Sequence, residues 1–305
     1  MDTEMYSLQP VSIVIVNYNA GPLLIRCVHA ALEQAREVIV VDNASIDSSM
    51  EKLRDSFPME NRLNLMATGK NSGFAAGCNI GLDASTQPYI LFLNPDCILG
   101  DYSLQRMVQV MESDPPIGIA GGYLMNPDGS EQSGGRRAIP TPWRAFVRAF
   151  GLYRLEKYWP CLFYDFHLHQ QPLPVMSIEV EAISGALMLV RHEAIKDVGS
   201  WDEQYFLHCE DLDWCLRFRQ KGWKIKFVPD APVLHYRGTC SRARPIFVAW
   251  HKHKGMLRFY KKFFHPQYPG GLMWIVALGV WSRFGAIALF YTAQHIYRWL
   301  GNPRA

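Results

Sequence analysis

The stretch ILFLNPDCIL (90–99) interrupts an apolar run with Asn94, Pro95 and Asp96. On an extended chain, residues two apart point to the same side. The Asn94 carboxamide and the Asp96 carboxylate can therefore reach one hard divalent cation or one ribose hydroxyl. Asn-Pro and Pro-Asp are equally common turn dipeptides, so the same three residues also read as a plain turn. Asp42 closes the run VIVVD, where a carboxylate can accept from a nucleobase imide or a ribose hydroxyl. It can also cap a helix or form an Asx-turn, as can Asn43, Ser45 and Asp47.

The stretch GSWDEQYFLHCEDLDWCLRFRQKG (199–222) sets Asp202, Glu203, Glu210, Asp211 and Asp213 among Trp201, Tyr205, Phe206 and Trp214. Glu210 and Asp211 stand where a helix begins, and a helix N-terminus favours anions. One reading is a solvated first turn. The other is a carboxylate kept ionised beside a pocket, as a general base requires. His235 follows an apolar extended run and gains meaning only from what it meets in space. GKNSGFAAGCNIG (69–81) matches neither the dinucleotide nor the phosphate-loop glycine pattern, but its small residues suit close helix packing or a ligand approaching the backbone. Arg136 and Arg137, in a Gly-rich stretch, read as a diphosphate clamp or as a solvated loop.

These residues need a frame. VSIVIV (11–16) is a β-branched run with one polar member, the mark of a strand buried on both faces. EVIVVDNAS, NLMATG and PYILFLNPD supply three more strands, and helical patterns over 23–34, 45–57 and 73–85 separate them. This alternation predicts an α/β fold, a mostly parallel sheet flanked by helices. Ligands bind at the carboxyl ends of such strands, which brings Asn17, Tyr18, Asn19, Asp42 and Asn94–Asp96 to one edge. NPDGSEQSGGRRAIPTPW reads as a loop, VEAISGALMLV (180–190) as one further strand, and WKIKFVPDAPVLHY as an extended segment.

The chain has 305 residues, 49% hydrophobic and 19% charged, enough for a substantial core. Seven scattered cysteines without a CxxC pair argue against a disulfide framework or a structural zinc site and fit a reducing compartment. No charged and apolar leader precedes the first strand, so a cytoplasmic catalytic part is expected. The net charge of +3 conceals an asymmetry, with eleven Lys and Arg but no Asp or Glu after Asp230. Those cations adjoin Trp-, Leu- and Phe-rich sequence rather than a recognition module, which favours an anionic membrane surface or a phosphorylated partner over nucleic acid.

Taken in order, VSIVIVNYN, VIVVDNASIDSS, NSGFAAGCNIG, LFLNPD, ISGALMLV, WDEQYFLHCEDLDWCLRFRQKGW and VLHYRG resemble the family 2 glycosyltransferases of GT-A fold, in their rhamnosyltransferase-like branch. The resemblance covers roughly residues 10 to 240. It implies a nucleotide-sugar-binding half (1–120), an acceptor and catalytic half (121–240) and a basic, apolar C-terminal segment (241–305). By the same resemblance Asn17, Tyr18, Asn19, Asp42, Asn71, Gly73, Asn94 and Asp96 bind the donor. Asp96, Asn94 and His235 hold a divalent cation, Mg²⁺ or Mn²⁺. Asp211 is the base, with Glu210 beside it. Asn94 departs from the family's usual first aspartate, so the cation would be held less by charge and more by the donor diphosphate. The expected reaction is inverting transfer of a sugar, rhamnose from dTDP-rhamnose, to a hydroxyl of a cell-surface polysaccharide or lipid-linked precursor. A nucleotidyltransferase, or a non-catalytic nucleotide-sugar-binding scaffold, are the rival classes. Residues 270–300 are long enough to cross a bilayer, but Arg283 and interspersed Gly, Ser, Gln and His make spanning marginal. Peripheral attachment to the inner face of the cell membrane is the expectation, against a helix packed on the catalytic domain.

Overall fold

The computed structural model describes residues 7–236, 238 and 244–301. Arg237 of the VLHYRG motif and Cys240 lie outside them. The first half alternates as expected: β1 (Gln9–Asn17), α1 (Leu23–Leu32), β2 (Ala35–Asp42), α2 (Ser49–Ser56), β3 (Leu63–Ala67), α3 (Phe74–Asp83) and β4 (Tyr89–Leu93). A short β5 (Cys97–Leu99), α4 (Ser103–Ser113) and β6 (Ile117–Met125) follow. The second half contributes β7 (Arg136–Arg137), α5 (Pro142–Ala149), β8 (Ile178–Glu179), β9 (Ala182–Ile183), β10 (Leu187–Arg191), α6 (His192–Val198), α7 (Glu210–Gln220) and β11 (Lys224–His235). Two long helices, α8 (Pro245–Phe263) and α9 (Gly270–Gly301), close the chain.

One sheet runs β3-β2-β1-β4-β10-β6-β11-β5, with β8 also on β11, so it takes strands from both halves of the sequence. The first four strands are parallel, and β10 enters antiparallel between β4 and β6. Alternation divides the apolar residues between two cores. On β1, Val11, Ile13 and Ile15 face a layer with Leu24, Cys27 and Val28 of α1, whereas Val14 and Val16 face Ala75, Cys78 and Leu82 of α3. The small residues of α3 have a steric cause. A Cβ on Gly81 would collide with Val14 Cγ1, and one on Gly77 would lie 2.7 Å from Val16 Cγ1. The helix therefore rests directly on β1.

Two features depart from the sequence reading. The run 180–190 is not one strand: β9 ends at Ile183 and β10 starts at Leu187. Between them the backbone is drawn to the site, with the Ser184 amide donating to Gly135 O, the Gly185 amide to Asp211 Oδ2 and the Asn94 amide to Ala186 O. The Gly-rich stretch after β6 is not all loop either, since Arg136 and Arg137 pair antiparallel with Ile183 and Ala182, and α5 begins at Pro142.

Candidate active site

β1, β2 and β4 end side by side. Asn17 is in register with Asp42, and Ile15 with Leu93, so the residues after each strand share one edge. Asn17 is fully buried, and its amide nitrogen lies 3.0 Å from each of Asp42 Oδ1, Ser45 Oγ and Ser49 Oγ. Its effect on a ligand therefore runs through the placement of Asp42. Asn19 sits in the left-handed region (φ 53°) and accepts from the Ile46 and Asp47 amides, binding the turn after β1 to the turn after β2. Tyr18 between them is half-buried.

Asn43, which the motif reading gave only a capping role, links this edge to the next loop. Its amide donates to Asn71 Oδ1 (3.1 Å) and to Gly73 O (3.0 Å), and its own Oδ1 accepts from the Ser72 amide. Gly73 is required twice over: φ is +92°, and a Cβ would fall 2.5 Å from Phe206 O. The 69–73 loop thus lies against the segment preceding α7. Polar residue type alone signalled Asn43; that its partners are Asn71 and Gly73 was not readable.

His235 and Asp96 are far apart in sequence and meet because β11 is bent. After Val228 its register with β6 shifts, with Pro229–Ala231 as extra residues, and its last part pairs with β5, bringing His235 opposite Cys97. His235 Nε2 lies 3.2 Å from Asp96 Oδ1, and both side chains are buried. Gln132 fixes the tautomer: its amide nitrogen donates to Asn126 Oδ1 (3.1 Å), so its oxygen faces His235 Nδ1 at 2.6 Å and accepts that N–H. In the neutral imidazole, Nε2 then points a lone pair at a carboxylate, an arrangement that calls for a cation or a proton between them. A carboxylate oxygen and an imidazole nitrogen so arranged fit a divalent cation. Cys97 Sγ lies near both ligand atoms, but it donates to Ala186 O (3.6 Å), and burial together with the Asp96 charge pushes its thiol well above its usual range. Asn94 is half-buried; its backbone carbonyl accepts from the Cys97 amide, which closes the turn around Pro95.

Asp211 stands at the head of α7 with three of its four acceptor positions used. Oδ2 accepts from the Gly185 amide (3.1 Å) and from Arg137, and Oδ1 accepts from the Leu212 amide (2.8 Å). Among the described residues no donor takes the remaining lone pair on Oδ1. His208 and Cys209, both in the left-handed region at φ 69° and 73°, wind the chain into that position. Gly185 and Ala186 couple the parts, because the Gly185 amide holds Asp211 while Ala186 holds the Asn94–Cys97 turn.

The arginine clamp needs correcting at Arg136. That side chain is 2% exposed, bidentate on Glu131 at 2.8 and 3.0 Å, bonded to Gln171 and Pro172 carbonyls and stacked on Phe227. It belongs to neither a clamp nor a solvated loop. Asp213 is likewise internal: fully buried, it accepts from Arg217, Lys262 and Tyr205 and so ties α7 to α8.

Glu210 is buried, and among the described residues its Oε2 has no hydrogen-bond partner. Burial, and then the neighbouring Asp211 charge, push its carboxyl well above the usual range. The folded state therefore holds a proton that the unfolded chain releases. Stability falls as pH rises from the ordinary value of 4.5 up to the raised one, by about 1.4 kcal/mol per unit across that window. Glu210→Gln keeps the shape and removes the titration. The variant and wild type should be equally stable near pH 4.5, and urea unfolding toward alkaline pH should find the variant increasingly the more stable. Parallel pH profiles would show that Glu210 is ionised in the fold.

The parallel sheet with a mixed second half, the three strand ends and the carboxylate-led helix define a GT-A-type α/β enzyme. Residues 12–197 match the profile of Glycosyl transferase family 2, more than half of the chain, and the chain belongs to that family. It is 28% identical over 247 residues to the N-acetylglucosaminyl-diphospho-decaprenol L-rhamnosyltransferase of Mycobacterium tuberculosis, covering 76% of this chain and 78% of that one. It is 26% identical over 235 residues to the dTDP-rhamnosyl transferase RfbF of Shigella flexneri, covering 75% and 69%. Its fold is similar to GalNAc-T7, solved with UDP, GalNAc and Mn²⁺, at a TM-score of 0.61 and 17% identity, covering 84% of this chain and 48% of that one. The chain is a rhamnosyltransferase-like glycosyltransferase that uses a nucleotide sugar.

Proposed function

We propose that the enzyme transfers rhamnose from dTDP-rhamnose, with inversion, to a hydroxyl of a lipid-linked saccharide or polysaccharide precursor at the cytoplasmic face of the membrane. The observation that carries the reading is the junction at Gly185–Ala186, which holds the candidate base Asp211 on one side and the Asn94–Asp96 turn with its Asp96–His235 pair on the other. The choice of donor and acceptor is supported by the similarity to the two rhamnosyltransferases.

Tyr18 and Asp42 bind the nucleoside, with Asn17 and Asn19 orienting them from behind. Asn71 and Gly73 line the donor's approach through the loop that Asn43 holds. Asp96 and His235, with Asn94 alongside, would hold a divalent cation, which when bound neutralises charge on the donor diphosphate. GalNAc-T7 carries Mn²⁺ in its complex with UDP. Asp211 takes the proton of the acceptor hydroxyl on Oδ1 as the hydroxyl oxygen attacks the anomeric carbon and the bond from that carbon to the diphosphate breaks, releasing dTDP, while Arg137 and the Gly185 amide keep the carboxylate oriented. Product analysis tests the class. Release of dTDP with a saccharide product supports it, release of pyrophosphate identifies a nucleotidyltransferase, and binding without turnover identifies a scaffold.

Membrane attachment falls to α9. It is long and apolar enough to cross a bilayer, and only 6% of its most apolar stretch is buried. Trp274, Leu278, Leu289 and Phe290 face outward, while Trp281 and Phe284 pack on Trp250 of α8. With Arg283 mid-helix, the basic α8 beside it and no carboxylate anywhere after Asp230, the segment suits an anionic interface. Ending the chain after Pro269 should release the enzyme from membranes and leave donor binding intact, as flotation and calorimetry would read. A shortened enzyme that floats with membranes as fully as the whole chain would place the attachment elsewhere.

A further inference from the structure

A second surface carries the same chemistry as α9 without belonging to it. α5 starts at Pro142 with Thr141 as its cap and turns Val147 inward. Trp143, Phe146 and Phe150 face outward in a row, their rings 5.5 and 4.6 Å apart in sequence along the helix. Beyond a short turn, Tyr158, Trp159 and Leu162 extend the row, and the Trp143 indole N–H donates to Leu162 O at 2.7 Å, so the two stretches form one surface. Its charges are one-sided. Between residues 141 and 177 the carboxylates are Asp165, buried on Arg148, and Glu156, half-buried with its oxygen on the Asp165 amide. Arg154 and Lys157 are exposed, Lys157 lying 4.6 Å over the Tyr158 ring. Exposed Trp and Tyr with cations and no exposed carboxylate is the composition of a surface seated at lipid headgroups.

Its place in the fold gives it a task. The Phe166 carbonyl, next to Asp165, accepts from the Ala138 amide, one residue from the Arg137 that holds Asp211. In α8, a Cβ on Gly255 would fall 2.7 Å from the His208 carbonyl just before α7, so the two backbones lie close there, and α8 carries α9 through Trp250. Both exposed apolar elements are therefore braced on the segments that hold the candidate base.

We propose that the strip from Trp143 to Leu162 is a second membrane contact, seated on an anionic bilayer, which together with α9 turns the acceptor entrance at Asp211 toward the lipid surface. This rests on the reading that the enzyme works at a membrane, and the two can be separated. Cys161 lies within the strip and is exposed, whereas the other described cysteines are buried. The full-length Cys240→Ser enzyme is labelled there with an environment-sensitive fluorophore and mixed with vesicles of phosphatidylcholine and phosphatidylglycerol. The expected result is a blue-shifted, stronger emission that weakens with phosphatidylcholine alone. Phe146→Ser/Phe150→Ser should abolish it and weaken vesicle affinity on the order of tenfold, with dTDP release on a water-soluble acceptor unchanged. Arg154→Glu/Lys157→Glu, confined to exposed side chains, should do the same should the first variant fold poorly. Protein that sediments with vesicles while the label reports water overturns the strip and leaves α9 as anchor. Protein that never sediments overturns both readings. A label change that grows with protein concentration without vesicles, lost together with a dimer in the double-serine variant, would make the strip a contact between two copies of the chain.

Discussion

Asp211→Asn should lower transfer by on the order of 10²- to 10⁴-fold and leave donor affinity near wild type. The substitution keeps the size of the side chain and its place at the head of α7, and replaces an acceptor-only carboxylate with a group unable to take the proton. The proton moves only as the acceptor oxygen attacks, so the loss should appear in kcat and not in donor binding. Gly185 and Arg137 both donate to Oδ2, so the amide presents its oxygen there and its NH₂ at the Oδ1 position, where it loses the Leu212 amide and meets the acceptor with the wrong polarity for catalysis. Steady-state kinetics alongside donor calorimetry measure the two effects separately. Transfer within about tenfold of wild type would move the base to another group. Asp213 is enclosed by Arg217, Lys262 and Tyr205, so Glu210 is then the remaining neighbour, and as a base it would act only above its raised titration range.

Asp96→Ala should remove the response of the protein to Mn²⁺ and weaken donor binding by at least about tenfold. Asp42→Ala should weaken donor binding as well but keep the Mn²⁺ response. The contrast follows from position: Asp96 faces His235 Nε2 at 3.2 Å, whereas Asp42 closes β2 and is held by Asn17 and Ser45. Thermal shift with donor, metal and both, on the two variants and wild type, reads it directly. Normal donor binding with an unchanged metal response in Asp96→Ala would place the diphosphate elsewhere.

The parts of the fold that were legible are those written in local periodicity. β1, β2 and β4 are buried on both faces, so each reads as an unbroken apolar run, and the polar residue ending each run marks the site edge. The β10 insertion between β4 and β6 was not legible, because its pairing depends on partners far along the chain and not on its own pattern. The break at 184–186 hid for a related reason. Ser, Gly and Ala leave an apolar run looking continuous, while their amides and carbonyls leave the ladder for Gly135, Asp211 and Asn94. Asn17 and Arg136 show a third limit. Residue type announces hydrogen-bonding capacity, but only packing reveals that the capacity is spent inside the molecule. The family resemblance named His235 as a candidate; its bracing by Gln132 required the bent β11.

That bend lets one strand obey two separate counts. Up to Val228, β11 is measured against β6 at the centre of the sheet, and from Val233 on it is also measured against β5, where parity decides whether an imidazole or an aliphatic side chain meets Asp96. Pro229–Ala231 lies between the two counts, with Asp230 exposed at its crest. A residue gained or lost there can be taken up by the bulge with both registers intact. The same change between Val233 and His235 would put Leu234 or Tyr236 where the imidazole stands. Tolerance to length change along β11 should therefore centre on the exposed Asp230 and be absent from Val233 to His235.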